Sequence, residues 1–333
     1  MADTLLWLAD NGGVECLVCG HHCRLKPGMK GRCGVRINKD GRLISVVTDL
    51  VSSIQMDPIE KKPLYHFLPG SKVFSIGSVG CNFHCTFCQN HHISVIPKTG
   101  VINGRRTPPR NLVELAIHHK AKSIAFTYNE PTISVELINS VAEIAFAHKL
   151  PMVLVSNGYM TPDFLDLLEN RIRAINVDLK SFRDDFYREY CGGRLKPVLE
   201  SLKKIRKLGW WLEVTTLIIH GVNDSPEEIR DCARFIRDEL GVDVPWHLSA
   251  FHGAYQMVNH PATTLDQLQA AWTIGKEEGL HYVYLGNVGA AIGGNTYCPD
   301  CSQLVAERSP WKISFPASGT CPKCGKDIPG VWR

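Results

Sequence analysis

One feature restricts the fold more than any other: between residues 73 and 285, short apolar runs alternate with segments of helical spacing. The runs of strand length are 73–76, 123–126, 152–158 (MVLVSNG), 174–179 (AINVDL), 211–219, 244–251 and 281–285. Between them lie helix-like stretches at 111–120, 132–148, 164–170, 195–208, 226–240 and 264–278. In 132–148, Val135, Ile138, Val141 and Ala145 recur on one helical face behind Pro131. Such alternation builds βαβ units around a parallel sheet. Periodicity alone leaves open a doubly wound sheet and a full or partial barrel. In each, ligands bind beyond the C-terminal ends of the strands. Those ends carry YNEPT (128–132), SNG (156–158), DLK (178–180), HGVND (220–224), FH (251–252) and GN (286–287). So many polar clusters on one rim predict a site for a polar cofactor.

Two flanks, 1–70 and 290–333, enclose this core of 71–289, and both are rich in cysteine. The chain has thirteen cysteines, eleven of them in three groups. These are Cys16, Cys19, Cys23 and Cys33; Cys81, Cys85 and Cys88; and Cys298, Cys301, Cys321 and Cys324. Cys191 and Cys232 stand apart and read as small core hydrophobes, although Cys191 is placed to reach the rim. No apolar run approaches the ~18 residues of a membrane span. The first residues lack a basic segment followed by an apolar stretch, so a cytoplasmic protein is expected. Reducing conditions there favour metal binding over disulfides. A net charge of +4 gives no reason to expect a nucleic-acid or membrane partner. The short KKIRK run at 203–207 reads as a solvated helix face.

The central group, C-x3-C-x2-C, has three cysteines where structural zinc and ferredoxin clusters take four. Three thiolates on a [4Fe–4S] cubane leave one iron free for a small molecule. The group directly follows the run 73–76, at the ligand rim, and Phe87 can pack beside a cluster or a base. A zinc site completed by His84, His91 or His92 is the competing reading.

The segment GCNFHCTFCQN at 80–90, on the first strand-to-helix loop, resembles the radical S-adenosylmethionine (SAM) superfamily, and within it the pyruvate formate-lyase activating-enzyme branch. DPIEKKPLYHFLPGS at 57–71 and the chain ends are most similar to the radical SAM enzymes of the AmmeMemoRadiSam system. The resemblance implies an α/β fold, a partial (β/α)6 TIM-type barrel. It implies a cluster on Cys81, Cys85 and Cys88 that passes an electron to SAM, giving a 5′-deoxyadenosyl radical that takes hydrogen from a substrate the sequence does not name. It also implies a low-potential donor, ferredoxin or flavodoxin, and possible Memo- and Ammecr-family partners.

Residue by residue, the resemblance sets Glu130 on the SAM amino group, without the glycines that usually precede this acid. Ser156 and Asn157 match the third-strand motif, with Val155 in place of its acid. Asp178 and Lys180 match the fourth-strand Asp-x-Lys, and period two puts them on one inward face. His252 matches a histidine that approaches SAM. A glycyl-radical activating enzyme is the alternative within this chemistry. A zinc-dependent nucleic-acid-binding protein is the alternative outside it.

At the C-terminus, two C-x2-C knuckles nineteen residues apart predict a zinc ribbon-like module, with a strand pair near Ile313 and Phe315. The spacing Cys16-x2-Cys19-x3-Cys23-x9-Cys33 predicts a metal site holding either zinc or a second Fe–S cluster.

Overall fold

The computed structural model describes residues 2–96, 102–288, 293–308, 313–316 and 318–332. The expected boundary at 289–290 lies outside them. At the centre lies one eight-stranded sheet: β1 (Ser53–Pro58), β2 (Lys72–Gly77), β3 (Ser123–Phe126), β4 (Met152–Ser156), β5 (Ile172–Asp178), β6 (Trp211–Ile218), β7 (Trp246–Ala250) and β8 (Val283–Gly286). The strands stand side by side in chain order, and β2 to β8 are all parallel. A doubly wound sheet would reverse its strand order at the centre. An unbroken order is the winding of a barrel. The two end strands do not pair with each other, so the barrel is open. Its seven parallel strands fall on the seven apolar runs read from the sequence, one more than the six of the partial (β/α)6 barrel that the resemblance implies. A further antiparallel strand, β1, comes from the segment read as preceding the core. Its sequence, SIQMDP, alternates too weakly to announce a strand.

The helices α1 (Pro109–His118), α2 (Val135–Ala147), α3 (Pro162–Leu167), α4 (Leu195–Lys207), α5 (Pro226–Phe235) and α6 (Leu265–Glu277) cover the outer face. Proline opens α1, α3 and α5, where a missing N–H costs nothing. Thr161, Ser225 and Thr264 cap the next turn of α3, α5 and α6 with their hydroxyls. One side of each strand packs on these helices; Phe74, Ile76, Phe126, Leu154, Val177, Val214 and Leu248 belong to that core. The other side faces the lumen. There Val73, Ala125, Val153 and Ala174 close on Ile59, Leu64 and Phe67, so the 59–68 segment plugs the base of the barrel.

A buried polar network holds the plug in place. Glu213 is fully buried and accepts from the Tyr65 and His66 backbone N–H groups, Trp211 Nε1 and His247 Nε2. His247 therefore belongs to the base of the barrel.

The flanks are built from short antiparallel strands. The N-terminal one has two three-stranded sheets, from Trp7–Asp10, Gly13–Cys16 and Arg24–Leu25, and from Ala2–Asp3, Arg42–Ser45 and Arg36–Lys39. Arg36 welds it to α2 through two 2.9 Å bonds, Nη1 to Glu136 Oε1 and Nη2 to Glu136 Oε2. The C-terminal flank pairs Leu304–Arg308 with Thr296–Tyr297 and with Ile313–Ser314, one strand more than expected, and Phe315 lies beyond them. No helix among the described residues is long and apolar enough to cross a membrane.

Candidate active site

The cysteine loop leaves β2 at the open rim and is held by the ends of β3 and β4. Asn129 Oδ1 accepts from Ser78 N at 2.9 Å, and its Nδ2 donates to the Gly80 carbonyl at 2.8 Å. Asn157 Nδ2 donates to Asn82 Oδ1 at 2.7 Å and lies 3.9 Å from Cys81 Sγ. The loop bends at Gly80, φ +93°, where a side chain would meet Val35 Cγ1 at 2.8 Å and the Cys33 carbonyl at 3.0 Å.

Glu130 ties the rim together. Its Oε1 accepts from Thr132 N (2.9 Å), Thr132 Oγ1 (2.5 Å) and Ser156 Oγ (2.7 Å), and its Oε2 accepts from Asn157 N (2.8 Å). The residue is 2% exposed. Burial pushes its carboxyl above the ordinary value, against the pull of the Asn157, Thr132 and Ser156 donors. Both oxygens are thus engaged within the chain, and Glu130 links the β3 and β4 ends. Ser156 and Asn157 are buried with it.

On the next strand the period-two reading of DLK is met. Lys180 Nζ donates to Asp178 Oδ2 at 2.9 Å and stands 5.8 Å above the Phe87 ring. Burial disfavours the Lys180 ammonium, yet Asp178 and the Cys85 and Cys191 sulfurs hold its pKa well above the ordinary value. Cys191 reads from the sequence as a small core hydrophobe that is also placed to reach the rim. It ends a π-helical turn, Tyr187–Cys191, and is fully buried beside Cys85. The Cys191 thiol, with Lys180 nearby, holds the Cys85 thiol below its usual value despite burial. Burial and the Glu130 charge push Cys81 well up, and burial with the Cys85 charge raises Cys88. The YCGG stretch at 190–193 was the available sequence signal, because a tight glycine pair beside a cysteine brings backbone close: a side chain on Gly193 would strike Phe83 at 2.3 Å. His252 is exposed on the loop after β7.

Among the described residues, one group of three or more cysteine, histidine or carboxylate side chains is placed to hold a single ion: Cys298, Cys301, Cys321 and Cys324, whose sulfurs lie within 4.8 Å of one another. Cys81, Cys85 and Cys88 therefore do not gather with His84, His91 or His92 around a single-ion point. His91 instead stacks on Tyr255, ring centroids 4.8 Å apart. Three thiols spread on one rim loop suit a multi-atom cluster better than one tetrahedral ion. In the C-terminal group, Cys298–Cys324 and Cys301–Cys321 sulfurs are 3.6 Å apart. Tetrahedral bonds of about 2.3 Å set sulfurs about 3.8 Å apart, so this group has the spacing of a single-ion site.

Residues 75–236 match the model of the radical SAM superfamily. An uncharacterized protein of Methanocaldococcus jannaschii is 42% identical over 299 residues, 90% of this chain and 89% of that one. The GTP 3',8-cyclase of Helicobacter pylori is 28% identical over 151 residues, 44% of this chain and 46% of the enzyme. Among solved structures, Streptococcus suis SuiB bound to S-adenosylmethionine superposes with a TM-score of 0.51 at 13% identity, covering 72% of this chain and 56% of that one. A three-cysteine loop on the first parallel strand of an open barrel, and a family model that begins on that strand, lead to one conclusion: the chain belongs to the radical SAM superfamily.

Proposed function

We propose that this protein is a radical SAM enzyme in which Cys81, Cys85 and Cys88 hold a [4Fe–4S] cluster and the β4–β5 rim holds SAM. The carrying observation is that three cysteines spaced C-x3-C-x2-C sit on the loop after the first parallel strand of an open barrel, where the match to the radical SAM superfamily begins. When bound, the cluster and SAM supply reductive cleavage of the sulfonium C–S bond, which yields a 5′-deoxyadenosyl radical.

The chain's own residues position and shield. Asn157 donates toward Cys81 and fixes Asn82, which keeps the loop in register with β4. Glu130 locks Ser156 and Asn157, so it acts as a positioning residue for them. Lys180 carries the positive charge at the rim and is suited to the SAM carboxylate. Asp178 keeps that ammonium charged and aimed. Asn157 supplies a neutral amide beside Cys81, Ser156 is buried next to it in the chain, and His252 lies exposed on the loop after β7, where the resemblance sets a histidine toward SAM. Phe87, buried under Lys180, keeps water from the loop. The C-terminal cysteines hold zinc, a fixed structural ion that lets a small module fold. A ferredoxin or flavodoxin supplies electrons. Memo- and Ammecr-family proteins are the partners to test by co-purification.

The test is anaerobic reconstitution with iron and sulfide, then SAM and dithionite, with 5′-deoxyadenosine measured. The nucleoside should form in the native protein and vanish in Cys85→Ala. Equal formation in the variant overturns the assignment.

A further inference from the structure

Four cysteines of the N-terminal flank, outside the loop just described, line one small cavity. Cys16, Cys19, Cys23 and Cys33 form its wall with Gly31, Arg36 and Ile133. Its enclosed space is about 10 Å³, room for about one water. Among the described residues these four are not gathered as a single-ion site, whereas the C-terminal four are, with sulfurs within 4.8 Å of one another. The same chain thus contains one four-cysteine set at single-ion spacing and one that is not. A cubane moves its four thiolates outward, because each binds a different corner. A side chain on Gly31 would stand 3.8 Å from both Cys23 Sγ and Cys33 Sγ, so the bare glycine leaves that space to the sulfurs.

Arg36 supplies a second, independent observation. It is 1% exposed and lines the cavity. Its Nη1 and Nη2 bind Thr4, Glu136 and the Ile133 carbonyl. Its Nε has no hydrogen-bond partner among the described residues. A buried N–H of a cation lacking an acceptor, beside four cysteines, is suited to an anionic sulfur centre.

The cavity also abuts the radical-forming loop. The Cys33 carbonyl lies against Gly80, which precedes Cys81, at 3.0 Å from where a side chain would stand. His21, two residues from Cys19, lies with its Nε2 2.7 Å from the Asn82 carbonyl, one residue after Cys81.

We propose that Cys16, Cys19, Cys23 and Cys33 hold a second [4Fe–4S] cluster, and that it relays electrons to the cluster on Cys81, Cys85 and Cys88. The relay rests on the radical SAM reading; the second cluster does not. One electron moves from a reduced ferredoxin- or flavodoxin-class donor onto the N-terminal cluster and then onto the central one. The donor is left oxidised by one electron, and no bond or proton is exchanged in the transfer.

The test counts metals and sulfide in anaerobically reconstituted full-length protein. The native chain should contain about eight iron, eight sulfide and one zinc. The triple variant Cys81→Ala, Cys85→Ala, Cys88→Ala should keep about four iron and four sulfide, with the EPR signal of a reduced cubane. Cys19→Ala with Cys33→Ala should keep a similar amount in the central site. Two zinc and four iron in the native chain, or an iron-free triple variant beside an iron-loaded double variant, overturns the second cluster. Iron in the triple variant but none in the double variant upholds it and instead removes the central one. For the relay, stopped-flow reduction of the central cluster by ferredoxin should slow at least tenfold in the double variant. An unchanged rate overturns the relay while leaving the cluster in place.

Discussion

Glu213→Ala isolates what holds the base of the barrel. The carboxylate is fully buried and accepts from four donors: Tyr65 N at 2.9 Å, His66 N at 2.8 Å, Trp211 Nε1 at 3.0 Å and His247 Nε2 at 2.6 Å. Each buried donor that loses its acceptor costs about 1–3 kcal/mol, and water entering the space recovers part of that. A net loss of about 4 kcal/mol follows, which lies within the range for breaking buried charged contacts. At about 2 °C per kcal/mol for a large domain, the thermal midpoint should fall by about 8 °C. The assay is circular dichroism of metal-loaded protein under anaerobic conditions, at pH 7. The pH dependence adds a sign. Burial raises the Glu213 carboxyl, but His247, His66 and Trp211 outweigh it and hold it below its ordinary value. Its contribution is therefore full above about pH 4.3 and is lost as pH falls through the lowered folded value. The gap between native and variant midpoints should be widest at neutral pH and narrow in acid. A midpoint drop under about 2 °C, or a gap that widens in acid, would refute the role given to this network.

His66 offers a second pH test. Its Nδ1 faces the Pro329 carbonyl, an acceptor only, at 2.7 Å, so Nε2 accepts from Tyr284 Oη at 2.6 Å and the ring is neutral. Burial pushes its pKa down to about 4. The stability it supports is complete above about pH 6.5 and declines by about 3 kcal/mol toward pH 4; His66→Gln should flatten that decline in a pH series of thermal melts. Arg36→Met should destabilise by about 3–5 kcal/mol because Glu136 is left buried and unpaired, and adding Glu136→Met should restore most of it, read by urea unfolding. Chelation of the C-terminal ion should loosen that module and release Trp332, whose Nε1 donates to the Ile328 carbonyl at 2.8 Å, giving a red shift in tryptophan emission.

The core was legible because strands covered on both faces read as near-continuous apolar runs, as MVLVS does. Only their ends shifted: β7 begins at Trp246 rather than at 244, and the last turn of the 226–240 helix widens into a π-turn after Phe235. The Asp178–Lys180 pair was readable because period two fixes which side chains share a face. The N-terminal strands were not, since runs of two to four residues carry too little alternation. Glu213 was overlooked although it is the only charge in WLEVTTLI, a signal that a buried partner must exist. That partner, His247, comes from the neighbouring strand, and local pattern does not report which cross-strand residues meet. The partner of Cys191 was hidden for the same reason: its contact with Cys85 is made by packing 106 residues away.

The central proposal, an iron corner that the protein leaves to SAM, is tested most directly by electron–nuclear double resonance. The sample is the Cys19→Ala, Cys33→Ala protein, so that only the central cluster contributes, reduced with dithionite and mixed with SAM labelled at the amino nitrogen and carboxylate oxygen. Hyperfine coupling from both labels to the cluster is the predicted result. A reduced cluster that shows neither coupling, with SAM present in excess, contradicts it.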